Sequence, residues 1–294
     1  MKILITGGTG FIGKVLVKAL VDSGHHLTLL TRQKLADTQA VSYCQNFANF
    51  DNLNAFDAVI NLAGEPIFDK AWNERQKQKL IASRLEITQQ LVELIAKSEH
   101  PPHTLISGSA TGYYGDLPFA KNYDEQTACG SSFAAQICQH WEQTALQAKS
   151  DKTRVCLVRT AIVLDKNGGA LKRMLPLYRL GLAGKLGSGK QHWAWISLTD
   201  EVRAILFLLE NADCHGAYNF VAPQLTTNAD FNRTLAQTLK RPAIFAVPAF
   251  ILKWILGERS QLLLDNQPLV PKRLLAAGFE FEDTDLAAFF RKNL

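Results

Sequence analysis

Cysteine pairs and long apolar runs are missing from the sequence, and both absences narrow the class of protein. The cysteines show neither a C-x-x-C pair nor a nearby histidine at ligand spacing, so we expect no disulfide framework and no metal site. They are scattered along the chain: Cys44, Cys129, Cys138, Cys156 and Cys214. The most apolar late stretch, residues 243–256, contains a proline and a lysine and is too short to cross a bilayer. The N-terminus predicts a strand and not a secretion signal, so we expect a cytoplasmic protein without a membrane partner.

An excess of charge of one sign is also missing. Lysine and arginine number 32 against 27 aspartate and glutamate residues, and the net charge of +5 comes without a basic run of the kind that follows a phosphate backbone. A nucleic-acid partner is therefore not expected. The chain has 294 residues, 47% of them hydrophobic, which is enough for a sizeable core in one large domain or in a domain with a smaller lobe.

Short apolar runs alternate with longer helical patterns through the first two thirds of the chain. The apolar runs predict strands at residues 2–6, 26–30, 58–62, 104–108, 154–160 and 217–221. The patterns between them predict helices such as 12–22, 84–97 and 134–149. Strands that are apolar on both faces and separated by helices indicate a parallel sheet covered on both sides, which is a doubly wound α/β fold.

From about residue 166 the alternation stops, and after Pro223 the chain is mostly helical. This change predicts two parts. Residues 1–165 are expected to form a Rossmann domain that binds a dinucleotide, with its sheet completed by about residues 196–222. Residues 166–294 are expected to form a smaller, mainly helical lobe that closes over the substrate.

A glycine motif, G-x-x-G-x-x-G, follows the first predicted strand and opens the first predicted helix. Gly7 permits a tight turn, Gly10 lets the backbone approach a pyrophosphate, and Gly13 lets the helix pack closely on the strand. The free N–H groups of a helix N-terminus favour the negative phosphates. The motif therefore predicts a dinucleotide site, to which the residues between the glycines also belong: Thr9, Phe11 and Ile12.

The end of the second predicted strand indicates which dinucleotide is bound. An NAD site usually has an acidic residue there that accepts hydrogen bonds from the ribose, whereas an arginine suits the 2′-phosphate of NADP. This strand ends in Thr31 and Arg32, and Asp37 comes a few residues too late to replace the acid. NADP(H) is favoured; the alternative is that Arg32 is only a solvated charge at the strand end.

The sequence resembles the extended short-chain dehydrogenase/reductase family, which includes the nucleotide-sugar epimerases. The similarity lies in "TGGTGFIG" at the start, "DAVINLAG" at 57–64 and "ISGSATGYYGD" at 106–116. With "GSGKQHWAWISLTD" and "PKRLLAAGFEF", the pattern is similar to an atypical, epimerase-like subfamily with an extra C-terminal domain. The resemblance implies an NADP(H)-binding fold. It implies further cofactor contacts from the ends of three strands: Leu62, Ala63, Gly64, Ser107 and Arg159.

The family resemblance also places the catalytic residues. Ser109 falls at the family's catalytic Ser or Thr, and Glu142 matches an acid that the family has four residues after its lysine. Counting back from Glu142 puts Cys138 at the position of the lysine and Ala134 at that of the tyrosine. An alanine and a cysteine cannot replace a pair that transfers a proton and binds the ribose. Cys138 is expected to be an inert thiol of the core.

Two tyrosines follow Ser109 at the carboxyl end of the sheet, where ligands of such folds bind. Tyr113 or Tyr114 could donate the proton, or both rings could only pack. Glu65 is a candidate general base or a turn cap, and Arg84 a candidate ligand for an anion or a surface ion pair. His192, in a segment with tryptophans and glycines, is expected to be structural.

Two functions from different classes fit these residues. The first is an NADP(H)-dependent oxidoreductase or epimerase-like enzyme that acts on a small polar molecule between the two lobes. The second is a non-catalytic NADP(H)-binding sensor, which the loss of the tyrosine and lysine favours. The sequence leaves open whether the protein is an enzyme. Extended members of the family often pair through helices of the cofactor domain, which implies a possible homodimer.

Overall fold

Seven parallel strands form the large sheet in a computed structural model that describes all 294 residues. The strands of the chain are β1 Lys2–Thr6, β2 His26–Leu30, β3 Val41–Cys44, β4 Ala58–Asn61, β5 Thr104–Ala110, β6 Arg154–Thr160, β7 Ile162–Asp165, β8 Gly184–Leu186, β9 Trp195–Ser197, β10 Gly216–Phe220 and β11 Phe245–Val247. The sheet has the order β10-β6-β5-β4-β1-β2-β3. Because the order reverses at β1, a crevice opens at the carboxyl ends of β1 and β4, where doubly wound sheets bind ligands.

Burial on both faces explains why the central strands could be recognised from the sequence. Ile3, Leu4 and Ile5 are consecutive in β1 and point to alternate faces, yet none is exposed to solvent. The predicted strands 2–6, 26–30 and 154–160 coincide with β1, β2 and β6. The edge strand β3 was not predicted, because its sequence VSYC is short and only its first residue is buried.

The helices cover both faces of this sheet and build the smaller lobe. Their bounds are α1 Phe11–Asp22, α2 Glu74–Ala96, α3 Phe133–Leu146, α4 Gly169–Arg179, α5 Leu198–Glu210, α6 Asn228–Thr238, α7 Ala249–Leu256, α8 Gln261–Leu264, α9 Lys272–Ala276 and α10 Leu286–Asn293. α2 begins ten residues before the predicted start at 84, since the side chain of Asn73 caps it by accepting from the Gln76 N–H at 2.9 Å. None of the helices combines the length and apolar character of a membrane-spanning segment.

A second core lies outside the large sheet. Trp193, Trp195, Phe231 and Phe290 pack together with residues of α4, α6 and α10. The segment after residue 166, which showed no alternation in the sequence, folds into α4, β8 and β9. Two small sheets result, in which β9 pairs with the preceding β7 and β8 with β11. β10 then returns to the large sheet beside β6.

Candidate functional site

The glycine loop lies between β1 and α1, and steric contacts explain its glycines. Gly7 has a φ of +73°, and a Cβ there would be 2.6 Å from the carbonyl of Leu62. A Cβ on Gly13 would be 2.2 Å from the carbonyl oxygen of Gly7, so only glycine lets α1 start this close to the turn. No side chain caps α1, whose N-cap is Gly10. The first N–H groups of α1 are therefore available to an anion.

The loop after β4 is packed against the glycine loop. The Leu62 N–H donates to the Thr6 carbonyl at 3.0 Å, and the Ala63 N–H donates to the Thr6 hydroxyl at 3.2 Å. Leu62, Ala63 and Gly64 thus form the neighbouring wall of the crevice.

The smaller lobe approaches the glycine loop from another side. A Cβ on Gly168, the N-cap of α4, would be 2.2 Å from the ring of Phe11. The smaller lobe therefore touches the glycine loop directly.

Thr31 and Arg32 lie beside the glycine loop at the end of β2. The hydroxyls of Thr9 and Thr31 are 3.4 Å apart, and Thr31 is buried. Arg32 is exposed and forms no ion pair within the protein. The pKa of Glu65 is lowered mainly by a hydrogen bond from Lys70, and the charge of Arg32 is close enough to contribute. Arg32 is thus an unpartnered cation at the rim of the crevice.

Ser107 lies beneath the crevice and does not line it. Its side chain is fully buried, 3.5 Å from the amide nitrogen of Asn61, which also donates to Thr88 at 2.8 Å. The carbonyl of the Asn61 amide accepts from the hydroxyl of Thr6 at 2.6 Å. These bonds join β1, β4, β5 and α2 under the site. The Ser107 hydroxyl consequently supports the floor of the site, and the cofactor contact expected of Ser107 stays a prediction.

Ser109 takes part in a buried ionic network. Its hydroxyl donates to Glu142 Oε1 at 2.6 Å, and Arg159, opposite Ser109 on β6, donates from Nε and Nη2 to both oxygens of Glu142 at 2.9 and 2.8 Å. The Arg159 Nη1 donates to the hydroxyl of Tyr114 at 2.8 Å. Arg159 is 4% exposed. The network occupies both Ser109 and Arg159, so neither the predicted catalytic nor the predicted cofactor role follows from their placement.

The two tyrosines differ in accessibility. Tyr114 is almost fully buried and donates to Asn219 Oδ1 at 2.6 Å, and burial raises its pKa to about 12. Tyr113 is half-buried, with its ring 3.6 Å from the guanidinium carbon of Arg159. Burial raises the pKa of Tyr113 too. Of the tentative catalytic residues Ser109, Tyr113 and Tyr114, only Tyr113 retains a surface that a substrate could contact.

The helix α3 carries the positions at which the family has its tyrosine and lysine. Ala134 and Cys138 are both buried, and a Cβ on Gly112 would be 3.5 Å from the Ala134 Cβ and 3.9 Å from the Cys138 sulfur. A 3-10 helix at Thr111–Tyr114 therefore packs against the two side chains. Burial, and then the charge of Glu142, raises the pKa of Cys138 to about 11. The thiol is thus protonated at neutral pH, as expected of an inert core cysteine.

Arg84, on α2, brings a second cation to the wall of the crevice. Its guanidinium carbon is 3.0 Å from where a Cβ on Gly64 would stand, and it lies 5.3 Å from the Trp141 ring. It donates to the carbonyls of Leu80 and Glu65 at 3.1 Å, but no carboxylate pairs with it. Burial lowers the pKa of Arg84, although an arginine keeps its charge in proteins. Arg84 is therefore not part of a surface ion pair; its guanidinium is held by backbone carbonyls and lies near the Trp141 ring.

Glu201 is a polar group that the sequence analysis missed. Its Oε1 accepts from the Thr160 hydroxyl at 2.7 Å, while Oε2 is buried without a partner. Burial raises the pKa of Glu201 to about 8. The only signal in the sequence is its place in the first turn of α5 directly after the buried strand β9. Trp193 and Trp195, in the same segment as His192, belong to the lobe core.

The reversed strand order and the glycine loop define the class: a Rossmann-like fold of the short-chain dehydrogenase/reductase type. The chain belongs to the NAD dependent epimerase/dehydratase family, whose model matches residues 3–220, and residues 247–292 match a domain of unknown function, DUF1731. The resemblance seen in the sequence is thereby confirmed, including the extra C-terminal domain.

Relatives in bacteria and animals match nearly the whole chain. The epimerase family protein SH2119 of Staphylococcus haemolyticus is 38% identical over 291 residues, covering 98% of this chain and 97% of the relative. The epimerase family protein SDR39U1 of Mus musculus is 36% identical over 292 residues, covering 98% of each chain. The crystal structure of human SDR39U1 (isoform 2) with NADPH has 34% sequence identity and a TM-score of 0.92, and covers 99% of this chain and 98% of that one.

Proposed function

We propose that the protein binds NADP(H) in the crevice at the carboxyl ends of β1, β2 and β4. The observation that carries this proposal is the exposed, unpaired Arg32 beside the glycine loop, where an NAD site would have an acid. A guanidinium makes strong, charge-assisted hydrogen bonds to a phosphate. The NADPH in the human relative's crystal structure supports the same choice of cofactor.

Each part of the crevice has a role in this proposal. The N–H groups at the start of α1, near Gly10, Phe11, Ile12 and Gly13, would hold the pyrophosphate, and Thr31 and Arg32 the phosphorylated ribose. Leu62, Ala63 and Gly64 would pack against the cofactor, and Arg84 would place a positive charge at the wall that Gly64 forms. Gly7 and Gly13 let the loop that forms this site close tightly, because a Cβ on either would collide with the backbone of Leu62 or of the loop itself.

For the chemistry, we propose an epimerase-like oxidoreductase that acts on a small polar molecule between the sheet domain (1–165, with β10) and the lobe (166–294). A bound nicotinamide would accept or supply a hydride. Tyr113 is then the candidate proton donor, because Ser109 and Tyr114 are buried in the ionic network. Arg159 would position the Tyr113 ring from 3.6 Å.

A second candidate is a non-catalytic NADP(H)-binding sensor. It is favoured by the absence of the family's tyrosine and lysine from α3, where the buried Ala134 and Cys138 pack against the 3-10 helix instead. In this case the contact of Phe11 with α4 would connect cofactor binding to the position of the lobe.

Titration with NADPH and NADH, followed by nicotinamide fluorescence, tests cofactor binding. We expect tight binding of NADPH and weak binding of NADH; equal affinities or no binding would contradict the NADP(H) proposal. A substrate screen then separates the two candidates. The enzyme loses turnover in Tyr113→Phe with NADPH affinity retained, whereas a sensor shows no turnover with any substrate.

Two further predictions concern the cellular location and the oligomeric state of the protein. We propose a cytoplasmic location, since all five cysteines are free thiols, as in a reducing compartment. We also propose that the protein forms a homodimer through the helices of the sheet domain, as extended members of the family often do. Gel filtration with light scattering would measure the mass.

A further inference from the structure

An apolar helix without a partner lies on the surface of the lobe. α7 has the sequence AFILKWIL, in which Lys253 is the only polar residue, yet Leu252 is its only buried one. Phe250 and Trp254, one turn apart, are 71% and 85% exposed, and Ile255 is 60% exposed. A helix that is apolar on all sides is normally buried in a core or in lipid. α7 therefore lacks the apolar packing partner that a helix of this composition normally has.

The apolar surface continues onto the β8–β11 ribbon. The Gly187 N–H donates to the Val247 carbonyl at 2.8 Å, and a Cβ on Gly187 would be 3.7 Å from the Ala249 Cβ, so α7 starts where the ribbon ends. At the opposite end of the ribbon, before β8 and β11 begin, a Cβ on Gly181 would be 3.1 Å from Pro242, so the two chain segments are also in contact there. The large apolar residues exposed on these joined segments form what we call the lobe apolar surface: Leu177, Leu180, Leu182, Ile244, Phe245, Phe250, Trp254 and Ile255.

Positive charge is concentrated on the same segments. Residues 172–190 and 240–256 contain eight basic residues and no acidic one: Lys172, Arg173, Arg179, Lys185, Lys190, Lys240, Arg241 and Lys253. Of these, only Arg173 forms an ion pair, with Asp69. Without the eight, 24 of the 32 basic residues remain against 27 acidic ones, so these two segments account for the whole positive excess of the chain.

A basic depression adjoins the lobe apolar surface. It has a volume of about 370 Å³ and is lined by Asn232, Arg233, Ala236, Gln237, Lys240, Arg241 and Ala243. Ala243 precedes Ile244, which is 82% exposed. Cations beside exposed aromatic and aliphatic side chains are the combination found where proteins lie on anionic lipid.

We propose that the lobe apolar surface docks on an anionic lipid bilayer. Phe250, Trp254 and Ile255 enter the boundary between headgroups and acyl chains, while Lys253, Lys185 and the basic depression face lipid phosphates. A second copy of the chain fits this surface poorly, because the unpaired cations of these segments would face those of the other copy. The proposal does not depend on the cofactor. It differs from the sequence expectation of no membrane partner, because that expectation rested on the absence of a membrane-spanning segment, whereas the docking proposed here is to the membrane surface.

Trp254 supplies a direct measurement, since Trp72, Trp141, Trp193 and Trp195 are buried. The full-length protein is mixed with phosphatidylcholine vesicles that contain or lack phosphatidylglycerol, and sedimentation and tryptophan fluorescence are followed. We expect binding and a blue shift with the anionic vesicles only, weakened by salt. Trp254→Ser and Phe250→Ser should each lower the partition coefficient about tenfold.

Charge and control variants make the test specific. Lys185→Glu combined with Lys253→Glu should remove most of the binding to anionic vesicles. Lys97→Glu combined with Lys149→Glu changes the net charge equally on exposed residues of the sheet domain, and Leu146→Ser removes an exposed leucine there. These controls should bind like the unmodified protein, and far-UV circular dichroism reports that every variant folds.

Three outcomes would overturn the proposal. The first is no binding to anionic vesicles, and the second is equal binding to both kinds. The third is an effect of Trp254→Ser on oligomeric mass without any effect on vesicle binding, which would assign the surface to a second copy of the chain.

Discussion

Arg159 and Glu142 form a bidentate ion pair inside the protein, between β6 and α3. The two nitrogen–oxygen distances are 2.9 and 2.8 Å, and both side chains are buried, with only 5% and 6% of their surface exposed. The pair also holds Ser109 and Tyr114, so that one ionic contact organises the surroundings of the expected catalytic residues. Its integrity should therefore matter for folding as well as for the site.

Removing one partner of this pair should destabilise the protein strongly. Glu142→Leu leaves the buried Arg159 without its counter-charge, and we expect the free energy of unfolding to fall by about 3–5 kcal/mol. Denaturant unfolding measures the change. Asp22→Asn, which breaks the exposed pair of Asp22 with Lys18, is the matched control and should change stability by less than about 1 kcal/mol. Equal effects of the two variants would contradict a structural role for the buried pair.

Cofactor preference should depend on Arg32. Arg32→Asp removes a charge-assisted contact to the 2′-phosphate and introduces a repelling charge, so NADPH binding should weaken by about 2 kcal/mol or more. NADH affinity should stay within a few-fold, since that cofactor lacks the phosphate. Fluorescence titration of both cofactors measures the two constants, with the exposed Lys14→Ala on α1 as control. Unchanged NADPH affinity would show that Arg32 does not read the phosphate.

Glu201 should make stability depend on pH. Its pKa is raised by burial from the ordinary 4.5 to about 8, so the folded protein holds a proton that the unfolded chain releases above pH 4.5. The contribution of Glu201 to stability is thus fully present below pH 4.5 and is lost as the pH rises to about 8. Glu201→Gln should remove this dependence and become the more stable form at pH 8, by on the order of a few kcal/mol.

Denaturant unfolding of Glu201→Gln and the unmodified protein at several pH values between 5 and 9 checks this sign. Glu86→Gln, on the exposed face of α2, is the control and should leave the pH profile unchanged. Parallel profiles for Glu201→Gln and the unmodified protein would mean that Glu201 is ionised in the folded state.

Thiol labelling should distinguish Cys138 from the accessible cysteines. Its raised pKa of about 11 and its burial keep it protonated and out of reach at pH 8. Alkylation of the native protein should therefore modify Cys44 or Cys129, which are half-buried, long before Cys138. Mass spectrometry of labelled peptides gives the order, and prior denaturation should make all sites react. Early modification of Cys138 would contradict its assignment as an inert thiol.

Local sequence signals were sufficient for the sheet and for the glycine loop. β1 and β6 could be located because strands buried on both faces leave continuous apolar runs. Gly7, Gly10 and Gly13 were recognisable from their spacing, directly after a strand and at the start of a helix. β3, β8 and β11 escaped prediction because they are short and little buried, which leaves no periodic pattern.

The candidate catalytic residues show the opposite case. The sequence brought Ser109, Tyr113 and Tyr114 together on one loop but could not rank them. Only the long-range contacts with Glu142, Arg159 and Asn219 decide that two of them are buried in a network, and such contacts connect residues up to 105 positions apart. The same holds for Arg84 and Glu201, whose unusual surroundings come from other elements.

The sequence by itself determined the fold class, the dinucleotide motif and the absence of the tyrosine and lysine from α3, because each depends on residue type and on spacing along the chain. The tertiary structure alone decided which polar side chains are buried, paired or open, since burial and charge pairing arise where distant segments meet. It also left the apolar α7 exposed beside a basic surface. Hydrophobic composition predicts that a helix needs a partner, but only packing shows that the rest of the chain does not provide one.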